Sequence, residues 1–185
     1  TAGIVGLIVY ILLNRLLGAG LSVPHLEDTA MNALDRAGAI LLIAVGIGAG
    51  YLFLIFKKLA NLFFAKMRSK GLHVLNAVLG GLVLGVIGTI FPMTMFSGGN
   101  EIQAIQYEYL GYTPYLLVLI GVIKLFLTNI CIESGWRGGH FFPVIFSGLS
   151  IGYGFSVILG TSQVFSVVVV TGALLGTMLQ QPGAP

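Results

Sequence analysis

Apolar runs of membrane length, parted by short polar or glycine-rich patches, set the pattern of this chain. Gly3 to Leu17 is apolar but slightly short for a full crossing, which needs about 20 residues. Gly18 to Asp35 carries Gly20, Pro24, His25, Glu27 and Asp28 and reads as an exposed loop. Ala37 to Phe56 has about one membrane thickness of apolar residues. It runs on as a basic amphipathic stretch to Met67, as one long helix emerging from lipid would. Gly71 to Phe91 is the next span, ended by Pro92. Ser97-Gly98-Gly99-Asn100-Glu101 then breaks the pattern, and Ile102 to Tyr109 is too short to cross. Pro114 to Ile132, Pro143 to Leu159 and Val164 to Leu179 complete the set. A transmembrane barrel would need alternating segments of about ten residues. The runs here are continuous and longer. They predict an all-α, multi-pass membrane protein with tilted helices of unequal length, several of them broken within the membrane.

Composition agrees with that class. Hydrophobic residues make up 57% of the chain and charged residues 8%, against about 25% charged in a soluble domain. The 27 glycines suit helices that pack closely in lipid. Lys57, Lys58, Lys66, Arg68 and Lys70 fall in one short connection. That is a positive-inside signal rather than a nucleic-acid patch, so the 57–70 connection is expected in the cytoplasm of a cell-membrane protein. Residues 18–35 and the turn around Pro92 to Gly98 then lie outside. The single Cys131 leaves no internal disulfide or cysteine-based metal cluster, and no metal or cofactor is expected. The chain opens at Thr1 without methionine and stops soon after an apolar segment. It reads as part of a transporter roughly twice as long, since inverted-repeat transporters build their site between two halves.

The candidate chemistry sits at Gly135-Trp136-Arg137-Gly138-Gly139-His140-Phe141-Phe142-Pro143. Irregular backbone at membrane depth survives only where it is buried in protein or lines a polar cavity. Here glycines lead to residues with free amides and then to a proline suited to the first turn of a helix. A helix that starts inside a membrane aims unpaired N–H groups and a partial positive charge at whatever precedes it. That is a place for an anion, held by the backbone amides of His140 and Phe141. Ser97, Gly98 and Gly99 form a possible second break, and paired breaks of this kind mark broken-helix transporters.

Gly138-Gly139-His140-Phe141-Phe142-Pro143, followed by Ile145, Gly148 and Gly152, resembles the G-G-x-F-x-P-x-L-x-x-G-x-x-x-G signature of the CLC family of chloride channels and proton-coupled chloride exchangers. The basic connection, the Ser97-Gly98-Gly99 turn, Lys124 and Gly172-Ala173-Leu174-Leu175 with the later Pro182 fall where that family has similar features. The resemblance covers nearly the whole chain. It implies a CLC-type inverted-repeat fold, with residues 1–70 ending the first repeat and 71–185 forming most of the second. It also implies chloride or a similar small anion as the transported ligand, protons as a possible second one, and a homodimer made through residues 3–17 and 37–56. The family's G-S-G-I-P serine, G-x-E-G-P gating glutamate and late tyrosine are absent from this sequence, so channel and exchanger both stay open. Departures include His140 at a position usually small and apolar, Trp136 and Arg137 before the paired glycines, Glu133 in place of a small polar residue, and Leu149 for an alanine. Gln180 and Gln181 stand where a basic residue is common. Together they mark a divergent member.

Other residues invite plainer readings. Lys124 lies inside an apolar span, where a charge is a functional candidate. A structural role is favoured, with the ammonium bonding Thr128 or the carbonyls of a broken helix end. Glu133 and Arg137 are expected to pair across the break. Histidine as a residue type suits a pH sensor near neutrality, but for His140 a neutral, packed side chain is favoured. The glycine pairs 81/85, 148/152 and 172/176 are expected to serve helix packing. An intramembrane enzyme using Glu133 and His140 is the alternative from another class. It lacks an H-E-x-x-H pair and a nucleophile elbow. A transport-inactive assembly partner is the third reading.

Overall fold

The structure, a computed structural model, describes residues 33–95, 105, 111–136 and 138–179. Among these there are five α-helices and no strands: α1 (Ala33–Arg68), α2 (His73–Ile90), α3 (Pro114–Glu133), α4 (Phe141–Leu159) and α5 (Gln163–Leu179). A short 3₁₀ turn, Pro92–Thr94, follows α2. Four helices, α1 to α4, are long and apolar enough to cross a membrane, and α5 is shorter. The first apolar run at 3–17, the break at 97–99 and most of 102–109 lie outside the described residues.

α1 has 36 residues, about 54 Å at 1.5 Å per residue. That exceeds the roughly 30 Å of a hydrocarbon core and matches the expectation of one long helix running through the basic stretch. Its start corrects the sequence reading. The sequence places Asp35 at the end of an exposed loop, yet it lies in the first turn of α1 and is fully buried. Its carboxylate accepts the Ser162 N–H at 2.7 Å, at the start of α5. A negative charge at a helix N-terminus is favourable, and this one ties together two elements distant in sequence.

α3 packs on α4, α4 on α5, α5 on α1, and α1 on α3, so these four helices form a closed circuit. Leu42, Leu125, Val144, Val170 and Leu174 fill its centre. Ile105, Leu117, Phe146 and Leu149 form a second cluster on the far side of α3 and α4. α2 sits at the edge, against α1 and α3. The α4–α5 contact is close because Gly148 and Gly152 face it. A Cβ on Gly148 would lie 2.9 Å from the Thr171 Cα, and one on Gly152 would lie 2.7 Å from the Val167 Cα. The 148/152 pair therefore serves packing as expected. Gly81 lies beside Trp136, whereas a Cβ on Gly85, Gly172 or Gly176 would meet no described atom within 4 Å. For those three the predicted close contact does not occur among the described residues.

A candidate anion site where two helix ends meet

α3 stops at Glu133 because the chain turns at Gly135, whose φ of +99° is a backbone conformation that glycine adopts without a Cβ penalty. Gly135 N–H bonds the Ile132 carbonyl at 3.2 Å, and Trp136 N–H bonds that of Cys131 at 3.1 Å, which satisfies the end of the helix. The Trp136 indole then donates to the Ala77 carbonyl at 3.0 Å and pins the break against α2. α4 opens at Phe141, two residues before Pro143. His140 is its N-cap, without a side-chain cap bond. Pro143 thus falls in the first turn, where its missing N–H has no cost.

The α3–α4 register fixes the depth of this helix start. Ser150 Oγ donates to the Leu117 carbonyl at 2.7 Å, and a Cβ on Gly121 would lie 2.9 Å from the Ser147 carbonyl oxygen. Continued at equal rise, this antiparallel pairing sets Phe141 level with Leu127, about 9 Å inside the end of α3. The chain therefore re-enters after α3 before α4 begins.

Lys124 marks the second helix end. It lies at the midpoint of α3 and is only 2% exposed. Its ammonium donates to the carbonyls of Thr94 at 2.7 Å and Met95 at 3.0 Å, the last of the 3₁₀ turn after α2. It also stands 5.4 Å from the centre of the Phe146 ring. α2 and its turn thus end at the depth of the middle of α3. Of the two structural partners expected for Lys124, the broken helix end is the one found. Thr128 instead donates its own hydroxyl to the Lys124 carbonyl at 2.7 Å.

Between these two ends lies a cavity of about 470 Å³. Thr94, Met95, Lys124, Thr128 and Cys131 line one part of it, and Trp136, Gly138, Gly139 and Pro143 the other, with Leu84, Leu127 and Ile132 between. Of the predicted site residues, Gly139 and Pro143 stand on the wall. His140 and Phe141 sit at the helix start with exposed side chains. The expectation of a packed His140 side chain is not met. The left-handed turn position is Gly135 rather than Gly139, and a side chain on Gly139 would enter open space. Ser97, Gly98, Gly99 and Arg137 lie outside the described residues.

Glu133 has a partner the sequence did not suggest. Arg68, the last residue of α1, approaches its carboxylate at 3.3 Å and donates to its carbonyl at 2.7 Å. The expected partner Arg137 lies outside the described residues, and the partner described is Arg68, 65 positions away. A guanidinium at the C-terminal ends of two helices complements both dipoles. With its carboxylate held there, Glu133 serves as a structural anchor rather than as a base for His140.

Three comparisons bear on this geometry. A family model described as "Voltage gated chloride channel" matches residues 2–183. Proteins named "Putative ion-transport protein YfeO" from Salmonella newport, Salmonella agona and Salmonella typhimurium are each 29% identical over 160 residues, covering 85% of this chain and 37% of theirs. The chain thus spans little more than a third of the length of those relatives. No solved structure matches it.

Proposed function

The chain belongs to the voltage-gated chloride channel family, and we propose that it carries part of the anion path of a membrane transporter for chloride or a similar small anion. The anion sits before Pro143, bound by the backbone amides of His140 and Phe141, while Gly138 and Gly139 keep the approach open. The observation that carries this reading is the start of α4. It lies about 9 Å inside the end of α3, has no side-chain cap, and borders a cavity shared with the end of α2.

The first donors of a helix lack helical partners. An anion accepts from them and is drawn by the helix dipole. Backbone amides attract without holding too tightly, which suits an ion that must leave again. Ser97, Gly98 and Gly99, which follow Met95 closely in the sequence, stay the candidate second break of this reading. Either conduction or exchange with protons is compatible with such a site. The names of the relatives, ion-transport proteins, favour transport over an enzyme. The 57–70 connection faces the cytoplasm in this reading. A homodimer would use residues 3–17 and the face of residues 37–56 opposite Leu42, Ala49 and Phe53, which the chain's own core occupies.

The test is anion binding by calorimetry and chloride flux in liposomes with the purified protein. His140→Ala is expected to keep anion binding, because the ligand is backbone, and to remove any pH dependence owed to the imidazole. Gly139→Val is expected to lower flux at least about tenfold by filling the cavity, since a well-ordered obstruction of about 1.4 kcal/mol or more is enough for that factor. Loss of binding in a folded His140→Ala protein would make the side chain the ligand and refute the helix-start mechanism.

A further inference from the structure

α2 meets its neighbours mainly through small residues. Its buried positions are Asn76, Gly80 and Gly88, and Leu79 and Val83 add a partly buried contact with Phe64 and Ile130. A helix with so few interlocking side chains depends on polar bonds to hold its place. Asn76 donates to the Phe64 carbonyl at 3.2 Å, and the Trp136 indole donates to the Ala77 carbonyl at 3.0 Å. Beyond the other end of α2, Lys124 holds the carbonyls of Thr94 and Met95. Trp136 and Lys124 both line the cavity, so the same helix is fastened on both sides of it.

Gly80 and Gly81 make the seat of the indole. A Cβ on Gly81 would lie 3.3 Å from the ring Cζ2, and one on Gly80 would lie 3.8 Å from Nε1. A ring of this size comes so near the α2 backbone because glycines stand beneath it. Trp136 also follows the hinge at Gly135, whose φ is +99°, and so lies on the side of the turn that leads to α4. Past it, a Cβ on Gly138 or Gly139 would meet no described atom within 4 Å, and neither residue has a side chain to fasten it. The indole is therefore the described fastening between the hinge and the helix start at His140.

We propose that Trp136 is a positioning residue of the anion site, setting anion affinity through its bond to α2 rather than by touching the ion. The inference rests on the anion site proposed before Pro143. With the indole on the Ala77 carbonyl, the turn is held where it presents the His140 and Phe141 amides to the cavity. Without that bond the turn samples other arrangements, and the apparent affinity falls with the fraction that remains competent. One neutral hydrogen bond is worth about twofold to tenfold in such an equilibrium. Trp136 is 52% exposed, which sets the expectation near the low end, at about threefold.

The experiment replaces Trp136 in the purified protein by its benzothiophene isostere, which keeps the shape of the ring and removes the N–H donor. Chloride affinity by calorimetry should fall about threefold, the half-saturating chloride for liposome flux should rise by the same factor, and flux at saturating chloride should stay unchanged. A ring-fluorinated tryptophan at the same place keeps the donor and should match the unaltered protein. Gly81→Val pushes on the ring from its seat and should weaken chloride binding in the same direction, with the turn's own sequence intact. A merely structural bond would lower the unfolding midpoint and leave the half-saturating chloride where it is. Unchanged affinity in the isostere, while the unaltered protein binds chloride, would overturn the positioning role and leave the anion site standing. No chloride binding by the unaltered protein would refute the anion site itself, and the positioning role with it.

Discussion

Replacing Lys124 by methionine separates a structural role for the ammonium from a functional one. The substitution keeps the length of the side chain and its burial, and removes only the charge and the donors. The bonds lost among the described residues include those to the carbonyls of Thr94 at 2.7 Å and Met95 at 3.0 Å. Hydrogen bonds involving a charged group are worth about 1.5–3 kcal/mol each, and a buried carbonyl left without a donor costs about as much as it gained. The Phe146 ring, 5.4 Å from the ammonium, adds about 0.5–2 kcal/mol where water is excluded. Methionine recovers part of this by packing in the same space. The expected net loss is about 3–5 kcal/mol. Denaturant titration in mixed micelles measures it, followed by fluorescence of Trp136, the single tryptophan, which bonds α2 at Ala77. Amide exchange at Thr94 and Met95 should rise in parallel, because the turn after α2 loses its anchor. A loss below about 1 kcal/mol with unchanged exchange would refute the anchoring role. Wild-type stability combined with abolished chloride flux would go further and make the ammonium a working part of the ion path.

Two further predictions concern packing and the α1–α3 junction. Gly148→Val should destabilise the protein by about 1–3 kcal/mol through overpacking, because its Cβ would lie 2.9 Å from the Thr171 Cα; Gly172→Ala should be neutral or stabilising within about 1 kcal/mol, and a reversal of that order in thermal unfolding would overturn the assigned α4–α5 contact. Glu133→Gln should cost only about 1 kcal/mol, because the amide keeps the shape of this part-buried side chain and Arg68 still donates to the Glu133 carbonyl at 2.7 Å; Arg68→Ala should cost more, and equal costs for the two single variants would show that the carboxylate carries the junction.

The helices were legible where the signal is local. The 37–56 run, the unbroken basic extension to Met67 and the prolines at 92, 114 and 143 act within a turn or two of themselves, so α1, the end of α2 and the starts of α3 and α4 could be placed from the chain alone. Pairings were not legible, and Glu133 shows why. The partner expected across the break, Arg137, lies outside the described residues, while the partner described, Arg68, stands 65 positions earlier in the chain. The carboxylate is met by Arg68 because α1 outruns the apolar layer and crosses the end of α3. Asp35 repeats the lesson over a longer distance. An aspartate beside loop-forming residues reads as solvated, and the arrival of Ser162, 127 residues later, gives its carboxylate a donor inside the protein.

The candidate site divides along the same line. A helix start announced by glycines and a proline is a local property and was visible at Gly138 to Pro143. The cavity beside it is not local, since its opposite wall comes from Thr94 and Met95 at the end of another helix. Lys124 links the two halves. A lysine in the middle of an apolar span is costly unless something accepts its protons, and what accepts them here is the carbonyl end of a helix that stops partway across. The buried charge therefore reports a broken helix directly. Lys124 neutralises the partial negative charge of the α2 end on one side of the cavity, and the α4 start presents partial positive charge on the other. On the proposed reading, an anion entering between them would meet donors ahead of it while Lys124 masks the carbonyls of Thr94 and Met95 behind it, and the release that transport requires would be left to the weaker backbone amides.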